Sequence, residues 1–133
     1  MKEMGATEMV GGIKPKPIPK APADVADPPA DAEWAPSGLA SKVIEKGSGA
    51  KKPGPNDVVI AHYTAWTREG KGFDSSVARG QPATFPLPRL FPGLKEGLQL
   101  MTVGESRRFW IPGALAFQGQ RGRPQGMVVF DVE

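Results

Sequence analysis

The stretch from Val58 to Ser76, VVIAHYTAWTREGKGFDSS, constrains the fold of this chain more than any other. It opens as an apolar run of β-branched and aromatic residues and crosses a polar Arg68-Glu69-Gly70-Lys71-Gly72 connection. It then returns to Phe73-Asp74-Ser75-Ser76. The pattern predicts two strands joined by a glycine-containing turn.

The N-terminal side has a different composition. Met1 to Pro36 holds Pro15, Pro17, Pro19, Pro22, Pro28, Pro29 and Pro36, and almost no large apolar residues beyond Ile13, Ile18 and Trp34. A segment of that kind cannot build a core of its own. Lys14, Lys16 and Lys20 alternate with Pro15, Pro17 and Pro19, and acidic Asp24, Asp27, Asp31 and Glu33 follow. Residues 1–36 are expected to form an extended, polyproline-like arm. Such an arm is either a solvated tether or a docking segment for a protein partner, and Pro19-Lys20-Ala21-Pro22 fits a PxxP pattern.

From Gly38 onward the chain alternates strand and turn signals. Leu39 to Glu45 reads as a first strand, Pro53-Gly54-Pro55-Asn56 as a turn, and Phe85-Pro86-Leu87-Pro88 as an extended edge. Pro92 to Met101 is the helix candidate, with Leu94, Leu98 and Met101 at i, i+4 and i+7 on one face and Pro92 suited to the first turn. Arg107 to Ile111 predicts a strand in which Phe109 and Ile111 alternate with Arg108 and Trp110. Gly113 to Gln125 reads as a long loop with a basic tip at Arg121 and Arg123. Met127 to Glu133 predicts a last strand that is still running at Glu133, so a few further residues of it are expected. The whole describes an α+β domain over residues 37–133, in which one short helix covers one face of an antiparallel sheet.

Composition removes several kinds of chemistry. With no cysteine and one histidine, His62, the chain has neither thiol catalysis nor a Cys- or His-rich metal cluster, and no metal or cofactor is expected. A net charge of +3 is too small to argue by itself for nucleic acid. No run approaches the ~20 apolar residues of a membrane helix, and the Met1 end has no apolar signal-peptide core. A soluble protein is expected.

Four landmarks resemble the FKBP-type, macrolide-binding family of peptidyl-prolyl cis-trans isomerases. They are His62-Tyr63-Thr64; Gly72-Phe73-Asp74-Ser75-Ser76 with Arg79-Gly80; the Pro92-Gly93 entry to a helix ending in Met101-Thr102-Val103-Gly104; and Val128-Val129-Phe130-Asp131-Val132-Glu133. The resemblance implies a twisted antiparallel sheet wrapped around one short helix, with an apolar pocket between them that accepts a proline ring. By matching position it implies aromatic walls at Tyr63, Phe73, Phe85 and Phe130. It places Asp74 at the rim, oriented by Tyr63 and paired with Arg79, and a lip at Leu90 and Phe91 whose Phe91 amide receives a substrate carbonyl. Tyr63, Asp74, Phe91 and Phe117 would be catalytic, and Phe73, Arg79, Phe85, Leu90, Leu94 and Phe130 would bind substrate. Proline-containing proteins are the implied substrates.

The chain also departs from that pattern. Leu94 stands where the family has the tryptophan that floors the pocket, Phe117 where it has a ligand-bonding tyrosine, and Ala83 where it has an aromatic. The loop from Phe117 to Phe130 is short and lacks the Ile-Ile-Pro-Pro flap. These changes predict weakened macrolide binding and reduced turnover, with Trp110 or Phe91 as candidates to fill the volume lost at Leu94. The alternative they suggest is a non-catalytic accessory subunit that docks through its Pro-rich arm. Two weaker readings are nucleic-acid binding through Arg107, Arg108, Arg121 and Arg123, and a hydrolase triad from His62, Asp74 and Ser75 or Ser76.

Overall fold

A computed structural model of the chain describes residues 16–133, so the expected alternation at Lys14 and Pro15 lies outside the described residues. The elements in order are β1 (Glu33–Trp34), β2 (Ala40–Glu45), β3 (Val58–Ala61), β4 (Tyr63–Thr67), β5 (Gly72–Ser75), α1 (Ser76–Arg79), β6 (Ala83–Pro86), α2 (Pro92–Leu98), β7 (Ser106–Ile111) and β8 (Val128–Val132). Six strands form one antiparallel sheet in the order β1-β2-β7-β8-β4-β5, and β3 pairs with β6 in a second, two-stranded sheet.

Strand periodicity divides the large sheet into two faces. On the inner face Phe109, Ile111, Val128, Phe130, Val132, Tyr63 and Ala65 pack with Leu94, Leu98 and Met101 into the main core. Their neighbours Trp110, Val129 and Trp66 point outward and form a second apolar cluster with Ala40. The helix lies close to β7 because Gly93 and Gly97 face it. A Cβ at Gly97 would stand 2.7 Å from the Phe109 ring, and one at Gly93 would run into Ile111.

The stretch from Val58 to Ser76 needs a correction. Its β4–β5 hairpin is present, closed by Gly70 at φ +92° with Gly70 N–H donating to Thr67 C=O over 2.9 Å. The Val58 run, however, is a separate strand of the second sheet. The chain changes sheets at His62, whose backbone exchanges two 2.9 Å hydrogen bonds with Glu133. A four-residue helix, α1, follows the hairpin directly, with Ser75 Oγ accepting from Ala78 N–H and Gly80 closing it in the left-handed conformation. Serine before and glycine after a short segment are the capping signals that reveal it in the sequence. Phe85-Pro86 is extended as expected, but Leu87–Arg89 turns as a single 3-10 turn, leaving Leu87 buried.

The arm departs furthest from expectation. Residues 16–36 are not uniformly extended: turns close from Val25 N–H to Pro22 C=O and from Ala32 N–H to Pro29 C=O, and Glu33–Trp34 joins the sheet edge. They lie across the outer face of the chain's own sheet, where Ala21, Val25 and Ala32 cover Trp66, Trp110 and Val129. Both indoles donate into the arm's backbone, Trp66 Nε1 to Pro19 C=O and Trp110 Nε1 to Asp24 C=O, each over 2.9 Å. A proline-rich segment has few donors of its own and leaves its carbonyls free, so a face carrying two N–H groups is a matching surface.

Two of the four arginines proposed for nucleic acid are engaged internally. Arg107 is buried and donates to Glu105 and Ser41. Arg108 grips Asp131 with two bonds of 2.6 and 3.0 Å and reaches Asp24 of the arm at 3.0 Å. The Asp131 carboxylate and, after it, Asp24 raise the pKa of Arg108 further. Among the described residues no helix is long and apolar enough to cross a membrane.

Candidate active site

The site is set by a bulge. In β5 the register passes from Ala65↔Asp74 to Trp66↔Gly72, leaving Phe73 as an extra residue. Consecutive strand residues ordinarily face opposite ways, and a bulge breaks that rule. Phe73 and Asp74 both serve the inner side as a result: the Phe73 ring meets Phe117 and Phe130 at 6.1 and 6.2 Å, while Asp74 meets the Tyr63 hydroxyl.

Six aromatic rings gather there. Tyr63 stacks on Phe130 at 6.0 Å and meets Phe85 edge-on at 5.4 Å. Phe91 lies 4.7 Å from Phe117 and 5.6 Å from Phe130. Tyr63, Leu94, Phe117 and Phe130 are buried, whereas Phe73, Phe85, Leu90 and Phe91 are half-buried around them. The rings of Tyr63, Phe73, Phe85, Phe91, Phe117 and Phe130 are thus brought together, and Leu90 and Leu94 belong to the same core cluster.

At its edge Tyr63 Oη donates to Asp74 Oδ2 over 2.5 Å, and Arg79 donates to Asp74 Oδ1 at 2.6 Å and to Tyr63 Oη at 2.9 Å. Burial alone would raise the Asp74 carboxyl, but the hydrogen bonds from Tyr63 and Arg79 outweigh it, and the group titrates below its usual range. Burial, followed by the hydrogen bond to Asp74, pushes the Tyr63 phenol above 10.0. At neutral pH the trio is phenol, carboxylate and guanidinium. The Phe91 amide, at the mouth of α2, donates to no other group among the described residues, while the Phe91 carbonyl takes the Lys95 amide at 3.1 Å.

Of the two candidates to fill the volume lost at Leu94, the structure removes one. Trp110 is excluded, being on the outer face and bonded to the arm. Phe91 packs between Phe117 and Phe130. The short loop has its own closure, which the sequence reading missed. The Gln125 side chain accepts from Gly119 N–H, its two amide protons are shared among the carbonyls of Phe117, Gln120 and Arg123, and the Arg123 guanidinium lies 4.9 Å from the Phe117 ring. Gln118, Gln120 and Gln125 all stand among the glycines and arginines of this loop, and nothing in the sequence singles out the last of them.

The hydrolase triad does not form. Ser76 Oγ is fully buried, taking the Tyr63 amide at 2.7 Å beside His62 Nδ1 at 2.9 Å, Ser75 Oγ is held by Thr64, and Asp74 belongs to Tyr63 and Arg79. The arrangement offers an aromatic surface, a fixed carboxylate and an N–H with no protein partner among the described residues.

A family model described as FKBP-type peptidyl-prolyl cis-trans isomerase matches residues 49–133. The chain belongs to that family. It is 48% identical over 101 residues to the FKBP-type isomerase FkpA of Aeromonas hydrophila, covering 73% of this chain and 37% of that one. It is 46% identical over 102 residues to the FKBP-type 22 kDa isomerase of Escherichia coli, covering 73% of this chain and 48% of the relative. The chain thus spans less than half the length of these FKBP-type relatives. Among solved structures, FkpA from Escherichia coli superposes with a TM-score of 0.72 at 35% identity, over 79% of this chain and 50% of that one. An isomerase from Pseudomonas syringae gives 0.69 at 28% identity, over 79% of each. The FKBP fold accounts for the antiparallel sheet and for α2, the longer α-helix among the described residues, and residues 16–48 lie outside the family-model match.

Proposed function

We propose that the chain catalyses cis-trans isomerisation of X-Pro bonds in protein substrates, with residues 37–133 as the catalytic domain and residues 1–36 as its arm. The observation that carries this reading is the juxtaposition of the Phe91 amide, the aromatic cluster and the Tyr63-Asp74-Arg79 rim. Rotation about a peptide bond faces a barrier of ~18–20 kcal/mol because the amide loses its resonance. An apolar surface that strips water from the bond disfavours the dipolar planar amide relative to the twisted one. No nucleophile or cofactor is called for.

In this reading the proline ring sits against Tyr63, Phe73, Phe85 and Phe130, over Leu94. The Phe91 amide holds the carbonyl of the residue following, Leu90 borders it, and the Asp74 carboxylate, locked by Tyr63 and Arg79, faces the rotating amide. Phe117 contributes a ring without a hydroxyl. A missing hydrogen bond costs about 0.5–1.5 kcal/mol, up to about tenfold in rate, so turnover survives at a reduced level. The accessory-subunit alternative loses its main support, since residues 16–36 spend their contacts on the chain's own sheet. Exchange NMR on a panel of X-Pro peptides tests the proposal. Faster exchange for apolar X is the expected result, and rates equal to buffer for every X would overturn it.

A further inference from the structure

The rim of the site is mechanically weak on its own. Asp74 lies in β5, an edge strand of the large sheet, whose one partner among the described residues is β4 and whose pairing is interrupted by the Phe73 bulge. Arg79 ends α1, a helix of four residues, too short to hold itself in water. The Ser75–Thr64 and Ser76–Tyr63 hydrogen bonds anchor the junction of these two segments from the inner side, and their outer side is left to another element.

The arm touches both from the outside. The Ile18 side chain lies on Gly72, two positions before Asp74, so closely that a Cβ on Gly72 would stand 2.5 Å from Ile18 Cγ2. The Lys16 amide donates to Ala78 C=O at 3.0 Å, next to Arg79, satisfying a carbonyl that α1 leaves open. Between them Pro19 C=O takes the indole of Trp66, the cross-strand partner of Gly72. Ala21 and Val25 then run over Gly70 at the hairpin turn. The glycines of the hairpin are thus the track on which the arm lies.

We propose that Ile18, together with the backbone of Lys16, is a positioning group for Asp74 and Arg79: the proline-rich arm clamps β5 and α1 against the sheet and so holds the rim of the site in register. The inference rests on the isomerase reading only for its activity readout. A second readout is independent of it. Tyr63 is the one tyrosine of the chain, and its hydroxyl is bonded to both Asp74 and Arg79, the charged groups that face it, with His62 as its chain neighbour. Absorbance titration of the phenol therefore reports the state of the rim whether or not the protein turns over a substrate.

The test uses the full chain with Ile18→Ala, Gly72→Ala and the double variant. Gly72→Ala pushes Ile18 off its seat, and Ile18→Ala removes the contact while leaving room for the new methyl. Each single change is expected to lower kcat/KM about threefold to tenfold, the range of one loosened rim hydrogen bond. Each should also move the Tyr63 midpoint down toward its usual 10.0. The double variant should be no worse than either single one, because both act on the same clamp. Ile18→Val should restore both readouts. Unchanged phenol titration and turnover in both single variants, even with a lower melting temperature, would reduce the arm to a stabilising cover and overturn the proposal. A wild-type chain without isomerase activity would defeat the functional reading alone, and the titration would still decide the clamp.

Discussion

The two faces of the large sheet are made by the same strands and closed in different ways. On the inner face, helix α2 presses against β7 through Gly93 and Gly97, whose bare backbone lets the side chains of Ile111 and Phe109 come close. Among the described residues the outer face has no helix. It is covered by a segment of prolines, alanines and short acidic residues, held by indole N–H groups and by Arg108 on Asp24. A helix consumes its own backbone hydrogen bonds and can offer only side chains to a sheet. A proline-rich strap offers carbonyls, so the sheet beneath it carries donors. Two adjacent residues of β7, Phe109 and Trp110, are fully hidden by these two different devices.

That pair provides the sharpest way to break the comparison. If the outer face is a core in the same sense as the inner one, Phe109→Ala and Trp110→Ala should each cost about 3–5 kcal/mol, the usual range for removing a buried aromatic. Denaturant midpoints measure both. A Trp110→Ala loss well below its neighbour's would show that the strap adds little free energy of its own.

Next in size is the exchange of volume at the pocket floor. Leu94→Trp alone should overpack against Phe91, whereas Leu94→Trp with Phe91→Ile should raise macrolide affinity about tenfold over the wild type, the ratio that ~1.4 kcal/mol represents. Fluorescence titration checks this, and nanomolar binding by the unaltered chain would contradict the expectation of a weakened pocket.

A smaller effect is expected from Tyr63→Phe, which removes the hydroxyl between Asp74 and Arg79 and should slow turnover about threefold to tenfold at little change in melting temperature. The pH dependence has a definite sign. Because the Asp74 carboxyl is lowered in the folded chain, the stability it contributes is complete above the usual 3.8 and is lost as pH falls through the lowered value. An acid titration of the melting temperature should therefore show a loss confined to pH below about that usual value, and reduced in Asp74→Asn. Smallest of all is Arg123→Ala. Its guanidinium over the Phe117 ring is exposed to solvent, where such contacts contribute about 0.5–1 kcal/mol, and a shift of that order in the denaturant midpoint is the most expected.

Much of this could be read from residues alone, and for a physical reason. Strand alternation, the Leu94-Leu98-Met101 face and the Tyr63, Phe73 and Asp74 landmarks are local patterns, and each survived in the folded chain. The split at His62 was hidden because nothing in the run from Val58 to Thr67 marks a change of partner; it is imposed by Glu133 from the far end of the chain. The bulge at Phe73 was hidden for the same reason, since register belongs to pairs of strands. The arm misled more deeply. Its composition correctly says that it builds no core alone, but the donors that hold it are Trp66 and Trp110, which lie 47 and 86 residues away from their acceptors. Trp110 has the size to serve as a pocket floor, and the parity of β7 against its neighbours sends it outward.

The Gln125 side chain has a consequence for how such a chain can diverge. Its amide ties Phe117, Gly119, Gln120 and Arg123 into one closed frame, a task that a hairpin spreads over many backbone pairs. Where a single side chain carries most of the shape, the tip residues Arg121 and Arg123 have only a small part in maintaining it. Substitutions there can change the charge that borders the site while the frame stays intact, so this loop is where one lineage of the fold can acquire new preferences without rebuilding the sheet beneath.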